Sequence, residues 1–573
     1  MENQTNKLQL YFDYYIKHHQ PKENSWYPDL SKYIDLLQKI RTSVLSETNF
    51  TTLTIELQNT KLCETFSSCT NDEINNIEDF LSRYFFNPDN GIGDVSQGVI
   101  WDTTNNPDKN TIRENATVEL IFNILTAQDE LLANDFVIQL LKAGRQTDAV
   151  RFRFLRTLFP DKFAAPDAPN KLDRLCNVLK SKLNIDISGN SFDRHKSICN
   201  LIDTPDVALR QMFTWQIYYM LENEINIKKA IVYYGAPGTG KTFKSFETAR
   251  QFIDLHRIKA SRPIESNSYQ IQTVQFHPSF SYEDFFEGIR PTIDGALKLF
   301  NGSFKQFCKD YGASEIELYK NKEFIENEHF RNLKYDFSQI KINELTDTLK
   351  EIVGCKDEDL AEGLTILDWI EPAFFIIDEI NRAELSKVFG ELMLSMEYRG
   401  YNGKIRTQYA HLCQDENDES AFYWENEKNW FFVPQNIYII GTMNNIDRSV
   451  DAFDFALRRR FMWEEVHPNY SVISILGEKG WKTDECNQFI TSLKSLNNSI
   501  ENDSILDKNY RIGQSYILEL SKLNKDRFDT VAKAKEFIWY NFIHSLLEEY
   551  LRGLGDDKKA QEKIAKFKND FGI

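Results

Sequence analysis

Cysteine is scarce in this chain. The 573 residues hold 8, and the closest pair, Cys63 and Cys69, is too far apart for a CxxC. No two pairs have zinc-ribbon spacing, so isolated thiols in a reducing compartment are expected rather than metal or disulfide. Glycine (24) and proline (15) are too few for a collagenous or low-complexity chain. No apolar run approaches the ~18 residues that a membrane span needs. The opening MENQTNKLQLYFDYY lacks a basic then apolar leader, so a cytosolic protein with no membrane attachment is expected. Basic excess is missing too. With 68 basic against 86 acidic residues the net charge is −18, so the chain does not coat nucleic acid by bulk charge. Contact with DNA would need a local basic patch or a partner.

What is present is an ordinary globular balance, 41% apolar and 27% charged. At roughly 100–200 residues per domain, the length suggests three to five domains. Residues 1–205 read as a mostly helical region. Apolar residues recur at helical spacing at Val118, Ile121, Phe122 and Leu125, and at Phe136, Val137, Leu140 and Leu141. Loop-like stretches at 87–93, 102–108 and 164–170 interrupt it. Arg145, Arg151, Arg153 and Arg156 form no single helical face, and a solvated or core-flanking segment explains them better than a DNA site. Pro160-Asp161 carries the letters of a nuclease motif without a companion strand.

From about residue 228 the texture changes. Short apolar runs at 230–234, 271–276, 373–377, 437–440 and 461–466 alternate with loops and helical spacing, the pattern of a buried parallel sheet. After about 468 the chain turns helical to its end. This divides 206–467, an α/β nucleotide-binding core, from 468–573, a helical lid.

The first apolar run opens into Gly235, Ala236, Pro237, Gly238, Thr239, Gly240, Lys241 and Thr242, which fits G-x-x-x-x-G-K-[ST] between a strand and a helix. Glycines at 235, 238 and 240 let backbone N–H groups turn around a phosphate, and the following helix adds its positive end. Lys241 can reach β- and γ-phosphates, and the Thr242 hydroxyl can hold Mg²⁺. The run 374–377 ends in Asp378 and Glu379, which places one carboxylate for Mg²⁺ and another to activate water. Asn444 ends the next apolar strand and could hydrogen-bond the γ-phosphate or the attacking water, although alone an Asn there reads equally as a turn residue. Asp447 and Arg448 follow. A helical stretch then ends in Arg458, Arg459 and Arg460, which can complement the helix dipole or reach a neighbouring subunit's γ-phosphate.

These pieces in this order resemble the AAA+ superfamily of P-loop NTPases. Further segments resemble McrB-family proteins, the GTP-hydrolysing motor subunits of modification-dependent restriction systems. They are the QFH…SYEDF…RP stretch at 275–291, DEINRAELSKVFGEL at 378–392, MNNIDRS at 443–449, ALRRRF at 456–461 and YRIGQSY at 510–516. The resemblance covers about 225–555. It implies a five-stranded parallel sheet with a small helical lid, assembled as a homo-hexamer, and a separate McrC-type nuclease subunit. It also implies Asn444 and Asp447 as the signature that positions the water, and Arg382, Arg459 and Arg460 as candidates for acting in trans. GTP as substrate comes from this resemblance; the phosphate loop itself fits ATP equally. Between Pro291 and the strand at 373 lies a long charged and aromatic connection, expected to be extra helices on the core, and 398–434 is expected to hold a hairpin. A MoxR-like ATP-dependent remodeller is the alternative. A nucleotide-gated scaffold fits less well, because a dead switch has no need of Glu379 and Asn444.

Overall fold

The computed structural model describes residues 2–19, 31, 34, 120, 123–124, 127–141, 151–152, 155–156, 158–165, 169–183, 185–221, 228–264, 268–293, 295–356, 363–446, 455–552 and 557–573. The chain divides into two compact units, residues 1–223 and 224–573.

In the first unit the described residues are mainly helical: α1 (Glu2–His19), α2 (Glu130–Leu141), α3 (Pro169–Leu183), α4 (Ser191–Asn200) and α5 (Val207–Leu221). The 136–141 periodicity lies on α2; the 118–125 set is only partly described, and the loops expected at 87–93 and 102–108 lie outside the described residues. Pro169 opens α3, a position where its missing N–H costs nothing, so the loop expected to reach 170 ends earlier. The unit closes on aromatic contacts, such as Phe213 of α5 edge-on to Phe12 of α1 at 5.2 Å. Arg156 is buried and Arg151 stacks on Phe152, which fits the core-flanking reading; Arg145 and Arg153 lie outside the described residues.

The second unit is built on a five-stranded sheet. Its strands are β1 (Ala230–Gly235), β2 (Ile271–Gln275), β5 (Ala373–Asp378), β8 (Ile437–Asn444) and β9 (Met462–Glu465), in the order β2-β5-β8-β1-β9, every pair parallel. The five apolar runs are these strands. The inner strands β5, β8 and β1 are continuous because they are buried on both faces, whereas the edge strands β2 and β9 are only partly buried and carry polar residues. Ile231, Tyr233, Phe374, Ile376, Tyr438 and Ile440 pack against α6 (Lys241–Lys259) through Ala249, Phe252 and Ile253. The alternate residues Ala230, Val232, Phe375, Ile377 and Ile439 join a larger core with Phe285, Phe304 and Phe307. In register, Gly235 pairs with Asn444 and Gln275 with Asp378, so the chemistry-bearing strand ends share one edge, where ligands bind open α/β sheets.

The connection after Pro291 first pairs β3 (Glu287–Pro291) with β4 (Leu297–Asn301) in a hairpin, then forms short helices. Phe324, Phe330, Tyr335 and Phe337 from these helices are buried in the main core, so they are additions to it. The hairpin expected within 398–434 is β6 (Tyr423–Glu425) with β7 (Lys428–Trp430). Beyond β9 a helical lid forms around α7 (Thr483–Glu501) and α8 (Asp557–Phe571), with a separate core that includes Phe489, Leu496, Trp539 and Phe567. No helix among the described residues is long and apolar enough to cross a membrane.

Candidate functional site

The site begins where β1 stops. Gly235, Gly238 and Gly240 have φ of 151°, 74° and 86°, conformations that L side chains resist. At Gly235 the restriction is also steric, because a Cβ would stand 2.6 Å from the Val466 carbonyl. Thr239 closes the turn by donating its hydroxyl to the Ala236 carbonyl at 3.0 Å. Lys241 opens α6 and is 7% exposed; its ammonium donates to the carbonyls of Gly235 (3.2 Å) and Ala236 (2.8 Å). The loop therefore curls around its own lysine at the positive end of a 19-residue helix.

Asp378, the last residue of β5, faces this loop. Its Oδ1 accepts the Thr242 hydroxyl at 2.9 Å and the Thr442 hydroxyl at 2.6 Å. Sequence reasoning named Thr242 and Asp378 but missed Thr442, two residues before Asn444 on β8, since one threonine in an apolar strand carries no signal. The donors gathered here are all oxygens, which suits Mg²⁺, a hard cation usually held by one or two protein groups plus substrate phosphates.

Glu379 follows at φ 52° and ψ 48°, left-handed backbone that costs a side-chain-bearing residue about 1–2 kcal/mol. Two bonds hold it there: its N–H donates to Thr442 Oγ1 at 3.1 Å, and its carbonyl accepts the Arg382 N–H at 2.9 Å. Its carboxylate lies 2.5 Å from Arg382 Nε, so the Arg382 guanidinium is engaged within its own chain. Asn444 stands beside Gly235 at the sheet edge, and Asn381 Nδ2 lies 3.5 Å from its carbonyl. Asp447 lies outside the described residues.

The adjacent arginines differ. Arg460 is 10% exposed at its side chain; it donates Nε to the Met393 carbonyl at 2.8 Å and meets Glu397 at 2.8 Å. Arg459 is 67% exposed and only 3.7 Å from Glu397 at its nearest. Arg458 stacks on Trp463 at 4.9 Å. Equal neighbours in sequence thus become one anchored, one projecting and one stacked group.

The lid meets the same edge. Glu465 of β9 pairs with Lys508 and Arg511, each at 3.2 Å, and Asn445 Nδ2 donates to Asn509 Oδ1 at 2.7 Å. Residues 513–516 run across the phosphate loop itself. Nothing in the YRIGQSY sequence itself signals this contact with the phosphate loop.

Residues 230–461 match the AAA domain of the dynein-related subfamily, and residues 488–561 match the alpha-helical lid domain of McrB. Over 298 residues the chain is 32% identical to the type IV methyl-directed restriction enzyme EcoKMcrB subunit of Escherichia coli (strain K12), covering 51% of this chain and 48% of that protein. Over 255 residues it is 23% identical to the type II restriction enzyme BsuMI component YdiS of Bacillus subtilis (strain 168), covering 42% and 57%. The chain spans about half the length of the curated relatives it matches. The α/β core at 230–461 thus matches an AAA domain, and the C-terminal helices at 488–561 match the lid of McrB-type proteins.

Proposed function

We propose that this McrB-type chain is a nucleoside triphosphatase, the GTP-hydrolysing motor of a restriction or antiviral defence complex, which works as a homo-hexamer on a McrC-like nuclease subunit. The observation that carries the reading is the convergence of Thr242, Asp378 and Thr442 beside a phosphate loop whose lysine is buried. The loop amides and Lys241 bind and neutralise the β- and γ-phosphates. Thr242 and Asp378 would hold Mg²⁺, which would supply further charge neutralisation on those oxygens. Glu379 takes the proton from the attacking water, and Asn444 and Asp447 orient that water. Arg459, Arg460 and Arg382 are the candidates for charge stabilisation across a subunit boundary. DNA is engaged by the partner or by the N-terminal region.

The McrB lid match and the restriction-enzyme relatives favour this motor over a MoxR-like remodeller. GTP over ATP follows the McrB likeness alone. The test is phosphate release by the purified chain with GTP and with ATP in Mg²⁺, each with and without its nuclease partner. Faster turnover of ATP would overturn the nucleotide assignment. Absence of turnover with either nucleotide, even with the partner present, would overturn the motor.

A further inference from the structure

Three successive carbonyls of the phosphate loop accept hydrogen bonds from three successive residues of the lid. Gly513 N donates to Pro237 O at 3.0 Å, Ser515 N to Gly238 O at 3.0 Å, and Gln514 Nε2 to Thr239 O at 2.9 Å. A trans peptide is planar, with its C=O and N–H opposed. Fixing the carbonyls of 237, 238 and 239 outward therefore fixes the N–H groups of Gly238, Thr239 and Gly240 in the opposite direction, where a phosphate loop uses them. Gln514 is 7% exposed and used at both ends, because its Oε1 accepts the Asn469 N–H at 2.9 Å from the connection between β9 and the lid.

The approach leaves no slack. A Cβ at Gly513 would stand 1.9 Å from the Gly238 carbonyl carbon, and one at Gly238 would stand 2.5 Å from Ser515 Oγ and 2.6 Å from the Tyr516 ring. Gly513 is therefore required by the backbone of the phosphate loop, and Gly238, beyond its positive φ, by the lid side chains of Ser515 and Tyr516.

We infer that lid residues Gly513–Ser515 are a working part of the phosphate site, with Gln514 as a positioning residue that presets the loop amides for a polyphosphate. The inference rests on the nucleotide-binding reading and deepens it. Anything that binds those amides favours the docked lid, and the docked lid favours binding by the same factor. The effect acts on phosphates, so it is indifferent to the base.

The experiment uses the full chain and inorganic tripolyphosphate with Mg²⁺, alongside GTP and ATP. Gln514→Leu and Gln514→Glu both remove the donor to Thr239, and Glu keeps an acceptor for Asn469. Both are expected to weaken all three ligands by the same factor, about tenfold, the order set by one buried hydrogen bond. Wild-type affinity for tripolyphosphate in the variants, or a loss confined to the nucleosides, would overturn the inference. A second measurement needs no variant: tripolyphosphate should slow hydrogen exchange at the amides of Gly513 and Ser515 in the wild-type chain, and unchanged exchange at saturating ligand would also overturn it. Lys241→Ala separates the two levels. If that variant binds tripolyphosphate normally, the phosphate site itself is misassigned; if it does not while the Gln514 variants bind normally, only the role of the lid fails.

Discussion

The hydroxyl of Thr442 donates to Asp378 Oδ1 at 2.6 Å while accepting the Glu379 N–H at 3.1 Å. One buried atom on the central strand thereby orients a candidate metal ligand and holds the left-handed backbone of a candidate base. Thr442→Val keeps the shape and removes both bonds. Leaving such a buried group unsatisfied costs about 1–3 kcal/mol, so turnover should fall about 10–100-fold and the Mg²⁺ midpoint should rise. Nucleotide affinity should change little, and Thr442→Ser should restore activity. Steady-state kinetics across a Mg²⁺ series checks this, and equal losses in the serine variant would contradict it.

Lys241→Ala should abolish nucleotide binding. The ammonium sits inside the loop, donating to the Gly235 and Ala236 carbonyls, and alanine removes its charge from that position. Fluorescent-nucleotide titration is the measurement, and binding at wild-type affinity would remove the phosphate-site assignment.

Glu379→Gln should bind nucleotide and stall hydrolysis. Removing a water-activating carboxylate costs on the order of 10²–10⁴-fold. The amide can still lie beside Arg382, so the fold and the bound state should persist. Single-turnover assays on the loaded protein decide it; normal hydrolysis would place the base elsewhere.

Arg459 and Arg460 should separate experimentally. Arg460→Ala removes the bond to the Met393 carbonyl and the pairing with Glu397, and should lower the melting temperature by about 2–4 °C. Arg459→Ala should leave melting unchanged, bind nucleotide, and hydrolyse poorly. Mixing it with Lys241→Ala should restore part of the turnover, since the Lys241→Ala subunit lends its arginine to the other's intact phosphate loop. Sedimentation with turnover on the mixture tests this, and full activity from an Arg459→Ala monomer would rule out the trans role.

Glu130 provides a pH test of the N-terminal unit. Burial opposes its ionisation, but hydrogen bonds from Lys162 and Lys196, both at 2.6 Å, outweigh this and hold its carboxyl down at about 2. A depressed carboxylate contributes stability above its unfolded pKa of roughly 4.3, and loses it as pH falls toward the folded value. Glu130→Gln should therefore be less stable than wild type at pH 7, with the gap closing between about pH 4.5 and 2. Chemical denaturation at several pH values measures it, and a gap constant with pH would refute the pairing.

The sequence alone determined the parts whose signal is local. Five runs became five strands: the three inner ones are uninterrupted because both their faces are buried, the two edge ones are only partly buried, and the spacing from Gly235 to Thr242 is itself the loop's geometry. Asp378 and Asn444 could be placed because each ends such a run. What only the tertiary structure decided are contacts between segments far apart in the chain. Thr442 reaches Asp378 across 64 positions and Gln514 reaches Thr239 across 275, and neither leaves a period or motif from which its partner can be read. The same holds for Arg459 and Arg460: one rotation about the chain axis turns adjacent identical side chains toward Met393 and Glu397 in one case and solvent in the other. Hydrogen bonds depend on separation in space, and where the chain folds back to close that separation is fixed by the packing of the sheet and the lid.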